Sequence, residues 1–345
     1  MNILVTGGSG FIGSHLLRSL LKIKEVSKVA NLDLLTYSGQ PMNTSDLDNN
    51  PKYKFFHGSI NDFSFVTNTL EETQADVILH LAAESHVDRS IKSVADFVKT
   101  NVDGTRTMLE SVLFAREKGN QVHFVHVSTD EVYGSLGPKD PPFTESNPLV
   151  PRNPYSATKA SSDMLVEAFV HTHEISAAIT RCSNNFGPNQ FPEKLVPLMT
   201  LNALEGKELP VYGDGKQIRD WIHVSDHVDG IIETMKSLKE GGIQSGEVIN
   251  FGADNEKSNI EIVRKIIELT GASEDKIRFV KDRPGHDQRY AMGYDKAQSL
   301  LGWSPKVDWE TGMMDTVDWY IENSEWVDSI RTGAYRDWIN VQYGS

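Results

Sequence analysis

The chain has 345 residues, 39% of them apolar, a formal net charge of −14 at pH 7 and a single cysteine, Cys182. The acidic balance argues against nucleic acid as a partner, the lone thiol rules out an intrachain disulfide framework and fits a reducing cytosol, and no run of about 18 apolar residues offers a membrane span. The length points to two domains or one with a large appended lobe, and a chain that enters a strand at once is expected to lack a signal peptide. No His/Cys grouping has metal-ligand spacing, so no metal is expected.

A strand over residues 2–6 runs into Gly7-Gly8-Ser9-Gly10-Phe11-Ile12-Gly13 and a helix to about residue 24. Gly7, Gly10 and Gly13 keep the G-x-x-G-x-x-G spacing. The missing side chains permit a tight turn, approach of backbone to a pyrophosphate and close helix–strand packing, and Phe11 and Ile12 open a helix whose N-terminus faces the phosphates. A glycine pattern alone is a weak signal, but here it follows a strand and opens a helix. A second strand ends at Asp33, twenty residues past Gly13. A carboxylate there accepts hydrogen bonds from a ribose diol and repels a 2′-phosphate, so the expected cofactor is NAD rather than NADP, with Leu34, Leu35 and Thr36 in the adjoining loop.

Residues 50–57 lead to Gly58-Ser59-Ile60-Asn61-Asp62, a strand-end loop placed near the adenine. A helix over 63–72 and a strand over 77–81 follow. The strand closes on Leu81 and opens into Ala82-Ala83-Glu84-Ser85-His86, where small residues let backbone approach a cofactor and Ser85 can reach a substrate. His86 reads as a local hydrogen-bond anchor. A helical pattern over 94–118 sets Thr100 and Asn101 against the sheet edge. Strands alternating with helices predict a parallel sheet with right-handed crossovers and a ligand at the C-terminal ends of its strands.

The stretch that organises the chain is a buried strand (Val122, Phe124, Val125, Val127) that stops at Ser128-Thr129-Asp130-Glu131. It delivers a hydroxyl and two adjacent acids, and Tyr155-Ser156-Ala157-Thr158-Lys159 follows within about one loop. Tyr155 and Lys159 are four apart, hence on one face of a helix starting near Pro154. An ammonium beside a phenol is expected to lower the phenol pKa, so that the phenolate takes a hydroxyl proton while hydride leaves for NAD. The acids could be a turn cap and a solvated charge. Above a sugar oxidised at C4 they could instead divide an elimination: Glu131 removes the acidified C5 proton and Asp130, held protonated, gives its proton to the departing C6 hydroxyl.

In the second half a strand over 175–181 leads to a turn with Asn184 and Asn185. Lys194-Leu195 opens a helix over 196–205, where backbone N–H groups and Lys194 could meet a diphosphate. Leu209-Pro210-Val211-Tyr212 is a short strand, and Gly213-Asp214-Gly215 turns back to a strand over 217–222. The chain is expected to return to the nucleotide domain through a helix over 226–236, to re-enter the smaller lobe at 248–252, and to form an amphipathic helix over 259–270. Arg219, Arg283, His286 and Arg289 supply the cationic surface that the overall charge lacks, arginine's fork being suited to phosphate oxygens. Trp303, Trp309, Trp319 and Tyr320 read as packing for the C-terminal helices.

These stretches resemble the extended short-chain dehydrogenase/reductases, and within them the nucleotide-sugar 4,6-dehydratases, over nearly the whole length. The glycine and Tyr/Lys motifs mark the superfamily. Thr129-Asp130-Glu131 with the stretch from Ala83 to Ser90 marks the dehydratases, since the related epimerases and decarboxylases usually lack the acid pair. The resemblance implies a Rossmann-type, doubly wound α/β fold, with residues 1–180 as the NAD-binding domain, revisited at about 210–240 and 290–310. A smaller α/β substrate-binding lobe, mainly 181–345, is interleaved with it. It implies Tyr155 as base for C4 oxidation, Lys159 as its partner and ribose ligand, Asp130 as acid, Glu131 as C5 base and Thr129 orienting the C4 hydroxyl. It further places Asn184 on the substrate phosphates and Asn185 near the nicotinamide. Arg219, Asn250, Arg283 and His286 go to the diphosphate and ribose, Tyr212 beside Pro210 to the base, and Tyr335 to the far end of the pocket. Ser59 departs from an acidic residue usual at the adenine. The implied substrate is dTDP-glucose. UDP-glucose or UDP-N-acetylglucosamine, a nucleotide-sugar 4-epimerase and a non-catalytic nucleotide-sugar binder remain as rivals. A cytoplasmic homodimer built on the helices near 94–118 and 157–173 is the implied assembly.

Overall fold

The computed structural model of the chain describes residues 1–282 and 285–331. Its centre is a seven-stranded sheet, every pair in it parallel, in the order Val248–Phe251, Ala177–Cys182, His123–Thr129, Val77–His80, Asn2–Thr6, Lys28–Asp33, Tyr53–His57. Alternation along the first strand sorts its side chains to opposite faces: Ile3 and Val5 enter one core, Leu4 the other. The first core joins the helices Phe11–Lys22 and Val224–Glu240 through Leu16, Leu17, Leu20, Val228, Ile231 and Met235. The second joins Phe63–Thr73, Thr105–Glu117 and Pro154–His173 through Val66, Leu70, Met108, Val112 and Val166. Burying each such aliphatic side chain contributes roughly 1.5–3 kcal/mol, so two apolar faces hold the sheet as the middle layer.

The expected 94–118 helix is continuous from Ala95–Phe97 to Thr105–Glu117, but its turns widen to i→i+5 pairing over Val98–Gly104. Such insertions recur at functional sites. This one lets Asn101 bond the Glu84 backbone nitrogen and carbonyl, at 2.9 and 3.0 Å, as well as the Thr158 hydroxyl.

The smaller lobe contains a three-stranded sheet (Glu256–Ser258, Ile218–His223, Asn184–Phe186) and a parallel pair, Leu209–Tyr212 with Ile277–Val280. The helices Leu195–Leu204 and Asn259–Thr270 close over its core of Phe186, Val196, Met199, Trp221, Val263 and Ile266. Ser258 and Glu261 form a reciprocal capping box at the start of the second helix.

One segment lies elsewhere than expected. Val248–Phe251 does not re-enter the lobe: it is the edge strand of the main sheet, beside Ala177–Cys182. A four-residue apolar run reads alike in either setting. Packing decides, with the Phe251 ring 4.7 Å from that of Trp303 and the helix Asp295–Leu301 alongside.

Candidate active site

The chain runs outward through its first three strands and then returns to pair Val77–His80 with Asn2–Thr6. That reversal opens a crevice at the C-terminal ends of these two strands. Gly7 and Ala82–Ala83 sit on its two lips, and one continuous cleft runs from there to the end of His123–Thr129. Gly7 has φ +72°, and a Cβ on it would stand 2.7 Å from the Ala82 nitrogen; a Cβ on Gly13 would overlap the Gly7 carbonyl oxygen. The glycines are therefore required by the turn itself, which leaves backbone as the floor of the crevice.

Asp33 closes one end. Its Oδ2 accepts from the Ser9 nitrogen at 2.9 Å and its Oδ1 from the Leu35 nitrogen at 2.8 Å. Burial pushes its pKa up, against those bonds. A carboxylate has about four lone-pair sites, so acceptor capacity remains for a diol. The arrangement fits NAD: a backbone cradle that a Cβ would fill, and an acid at the ribose position. Phe11, Ile12, Gly10, Leu34, Thr36, Ser59, Ile60, Leu81, Ala83, Thr100 and Asn185 also line the cleft. Leu35 does not; with φ +54° it turns its backbone nitrogen onto Asp33.

At the other end the helix Pro154–His173 presents Tyr155 and Lys159 one turn apart. Lys159 Nζ donates to the Val127 carbonyl at 2.7 Å. Burial lowers Lys159 to about 8, while the Asp163 carboxylate pulls the other way. The phenol behaves differently from expectation. Burial raises Tyr155 well above the ordinary value, the charge of Glu131 adds to the rise, and a hydrogen bond with Thr129 opposes it. The Lys159 ammonium bonds a backbone carbonyl rather than the phenol, and desolvation dominates at Tyr155.

The two acids occupy unlike surroundings. Asp130 is 2% exposed, and burial first, then the neighbouring Glu131, raises its pKa well above the carboxylate range. It accepts one bond, from the Thr129 hydroxyl at 3.2 Å, and its Oδ2 is buried with no hydrogen-bond partner. Burial thus favours the neutral, protonated form of Asp130. Glu131 is part-exposed; its backbone nitrogen donates to Thr129 Oγ1 at 3.3 Å and its Oε2 accepts from Asn153 Nδ2 at 3.1 Å.

Ser85, Asn184 and Lys194 line the same cleft, Lys194 Nζ donating to the Ser85 carbonyl at 2.9 Å. Asn184 Oδ1 is buried with no hydrogen-bond partner. Leu195, Pro210, Tyr212, Arg219 and His286 lie off this lining. Leu195 opens a lobe helix and Pro210 stands in the paired strand. His286 Nδ1 is 2.6 Å from Asp282 Oδ1 and its ring is edge-on to that of Tyr212, while the Arg219 guanidinium covers the Tyr290 ring at 4.4 Å. Asn250 stands apart from them. It is wholly buried in the main sheet opposite Arg181, with its Oδ1 accepting from the Tyr133 hydroxyl, because its strand joins that sheet rather than the lobe. Arg283 and Tyr335 lie outside the described residues.

Sequence reasoning missed a clasp across the cleft mouth. Arg89 Nε donates to Glu193 Oε2 at 2.9 Å, the Tyr37 hydroxyl donates to Glu193 Oε1 at 3.0 Å, and the Arg89 guanidinium stacks on the Tyr37 ring at 3.8 Å. It joins the loop beside Asp33 to the segment that delivers Lys194. It also missed Asn153, although an asparagine before Pro154 is a helix-cap signal.

A family model described as GDP-mannose 4,6 dehydratase matches residues 4–316. The dTDP-glucose 4,6-dehydratase of Salmonella typhimurium is 44% identical over 363 aligned residues, which cover 99% of this chain and 99% of the relative. The crystal structure of a dTDP-glucose 4,6-dehydratase from Bacillus anthracis in complex with NAD superposes with a TM-score of 0.86 at 44% identity, covering 96% of this chain and 100% of that one. Another, from Streptomyces venezuelae with NAD bound, gives 0.89 at 43% identity, with coverage of 96% and 100%.

Proposed function

Since the chain belongs to the GDP-mannose 4,6 dehydratase family, within the extended short-chain dehydrogenase/reductases, we infer that it is an NAD-dependent dTDP-glucose 4,6-dehydratase. It converts dTDP-glucose to dTDP-4-keto-6-deoxyglucose and water. The observation that carries this reading is the pair Asp130 and Glu131, adjacent in sequence and unlike in environment, in one cleft with Tyr155 and a dinucleotide turn. An oxidation alone would need no such pair.

Bound NAD takes hydride from C4 and gives it back at C6. The remaining work falls to side chains. Tyr155 receives the C4 hydroxyl proton as its phenolate, the form that the positive charge of a bound nicotinamide and the neighbouring Lys159 ammonium would favour against burial, with Thr129 holding the hydroxyl. Glu131 takes the C5 proton that the new ketone has acidified. Asp130, whose neutral form burial favours, gives its proton to the C6 hydroxyl as that group leaves as water; as hydride returns to C6 the proton held on Glu131 goes back to C5, and solvent takes the proton from Tyr155 and restores the one on Asp130, so charge and atoms balance. Lys194 and Asn184 serve the diphosphate, Asn185 the nicotinamide, and Tyr212, Arg219 and His286 the nucleotide.

Glu131→Gln tests the division of labour. On mixing with dTDP-glucose it should form the reduced-nicotinamide absorbance band yet release little product, because C4 oxidation precedes the step Glu131 serves. Undiminished dehydration in this variant overturns the reading. A 4-epimerase would give no keto-deoxy sugar, whose ultraviolet absorbance in alkali separates the two. The reading extends to a cytoplasmic homodimer. Ile91, Val94, Val98 and Met164 are exposed apolar residues on or beside the two long helices, a face suited to a second copy. Light scattering on the purified protein checks it.

A further inference from the structure

Asn153 stands between the two halves of the reaction. It is the N-cap of Pro154–His173: its Oδ1 accepts from the Ser156 nitrogen at 2.9 Å, and the Ser156 hydroxyl closes a capping box by accepting from the Asn153 nitrogen at 3.2 Å. Its Nδ2 donates to Glu131 Oε2 at 3.1 Å. The amide orientation is determined, since a backbone N–H needs an acceptor and a carboxylate needs a donor. The residue is 8% exposed. The loop that brings it there is clamped to the acid-bearing turn, with the Val150 nitrogen donating to the Val132 carbonyl at 2.9 Å. Gly134, at φ +90°, permits that approach; a Cβ on it would stand 2.5 Å from the Val150 carbonyl oxygen.

We propose that Asn153 is a positioning residue for the elimination: its amide fixes the Glu131 carboxylate to the first turn of the helix that carries Tyr155, so that the base for C5 is held in register with the group that oxidises C4. The inference rests on Glu131 being that base. Without the amide, Glu131 keeps its backbone bonds, its nitrogen donating to Thr129 Oγ1 and its carbonyl accepting from the Gly134 nitrogen at 3.3 Å, but its carboxylate is left to explore the part-exposed side of the cleft. Oxidation depends on Tyr155 and Lys159, which the cap supports independently of Glu131.

Two substitutions separate this role from capping, because Asn, Asp and Ser are near-equal N-caps. Asn153→Ser keeps a cap oxygen and cannot reach Glu131 as a donor. Asn153→Asp keeps the shape and sets a second carboxylate against Glu131. With dTDP-glucose, Asn153→Ser should form the reduced-nicotinamide band within about twofold of the parent rate while product formation and solvent-deuterium incorporation at C5 fall about tenfold, the effect of losing one charge-assisted bond. Asn153→Asp should lose more than Asn153→Ser. In an Glu131→Gln background Asn153→Ser should have no further effect on product formation, as coupled residues are non-additive. Equal activity of the two single variants, or an additive loss in the double variant, overturns the proposal. If Glu131→Gln itself dehydrates normally, the assignment of the base fails instead, and the two failures are distinguishable.

Discussion

Asp163→Asn probes the buried charges beneath the reaction. Asp163 lies one helical turn beyond Lys159, fully buried, with its Oδ2 accepting from Arg181 Nε at 2.9 Å. His126 Nε2 stands 3.5 Å from its Oδ1, but burial lowers His126 to about 4, so at pH 7 this contact carries no ion pair. Arg181 also donates to the Tyr133 hydroxyl at 2.8 Å, and the charges facing the carboxylate are then Arg181 and Lys159. An asparagine keeps an acceptor for Arg181 but leaves two buried cations without an anion. Breaking a buried pair costs about 3–5 kcal/mol; the retained bond favours the lower end. For 345 residues the unfolding entropy is about 0.7 kcal/mol/K, so a loss of ~3 kcal/mol lowers Tm by ~4 °C. The sign with pH follows from Asp163, whose folded pKa is depressed by its bond with His126 and the charge of Arg181 against the rise that burial would give. Its contribution is complete above the unfolded value of roughly 3.9 and is lost only as pH falls through the lower folded value, so the deficit is full at pH 7. Lys159, at about 8 with Asp163 present, should lose its proton at lower pH in the variant. The alkaline limb of C4 oxidation should shift down accordingly in stopped-flow absorbance. A variant with Tm within 1 °C of the parent (about 0.7 kcal/mol on the same scale) and an unmoved alkaline limb would refute the reasoning.

Tyr155→Phe should abolish even the transient reduced-nicotinamide band, because it removes the phenol oxygen that the helix sets in the cleft one turn before Lys159; a band of normal rate and amplitude means another base is at work. Gly13→Ala should weaken NAD binding about tenfold or more by calorimetry, since the added methyl overlaps the Gly7 carbonyl and overpacking of this kind costs about 1–3 kcal/mol. An unchanged affinity would show that the turn relaxes around the methyl group.

Much of the site was legible because its signals are local. The Gly7–Gly13 spacing, an acid at the end of the second strand, and Tyr155 with Lys159 one turn apart each follow from the period of a single element. What stayed hidden depends on partners far along the chain. Glu193 meets Arg89 across 104 residues and Tyr37 across 156, and no periodicity announces either contact. Val248–Phe251 was misplaced for the same reason, and Asn250 with it: a short apolar strand does not carry the identity of its neighbour. The phenol's raised pKa is a matter of burial, which spacing alone does not express.

The helix Pro154–His173 ties these observations into one mechanical claim. Asn153 at its cap holds Glu131, Tyr155 stands in its first turn, Lys159 bonds the carbonyl of Val127 in the strand His123–Thr129, and Asp163 bonds Arg181 in the next strand, Ala177–Cys182. At 1.5 Å per residue these groups span about 15 Å of one rod. The first half of the rod is thus fastened at its cap to the turn that bears Asp130 and Glu131, and at Lys159 and Asp163 to two adjacent strands. On the roles proposed above, oxidation at C4, proton removal at C5 and protonation of the departing C6 hydroxyl draw on groups whose mutual positions are set by one helix and the turn that ends one strand.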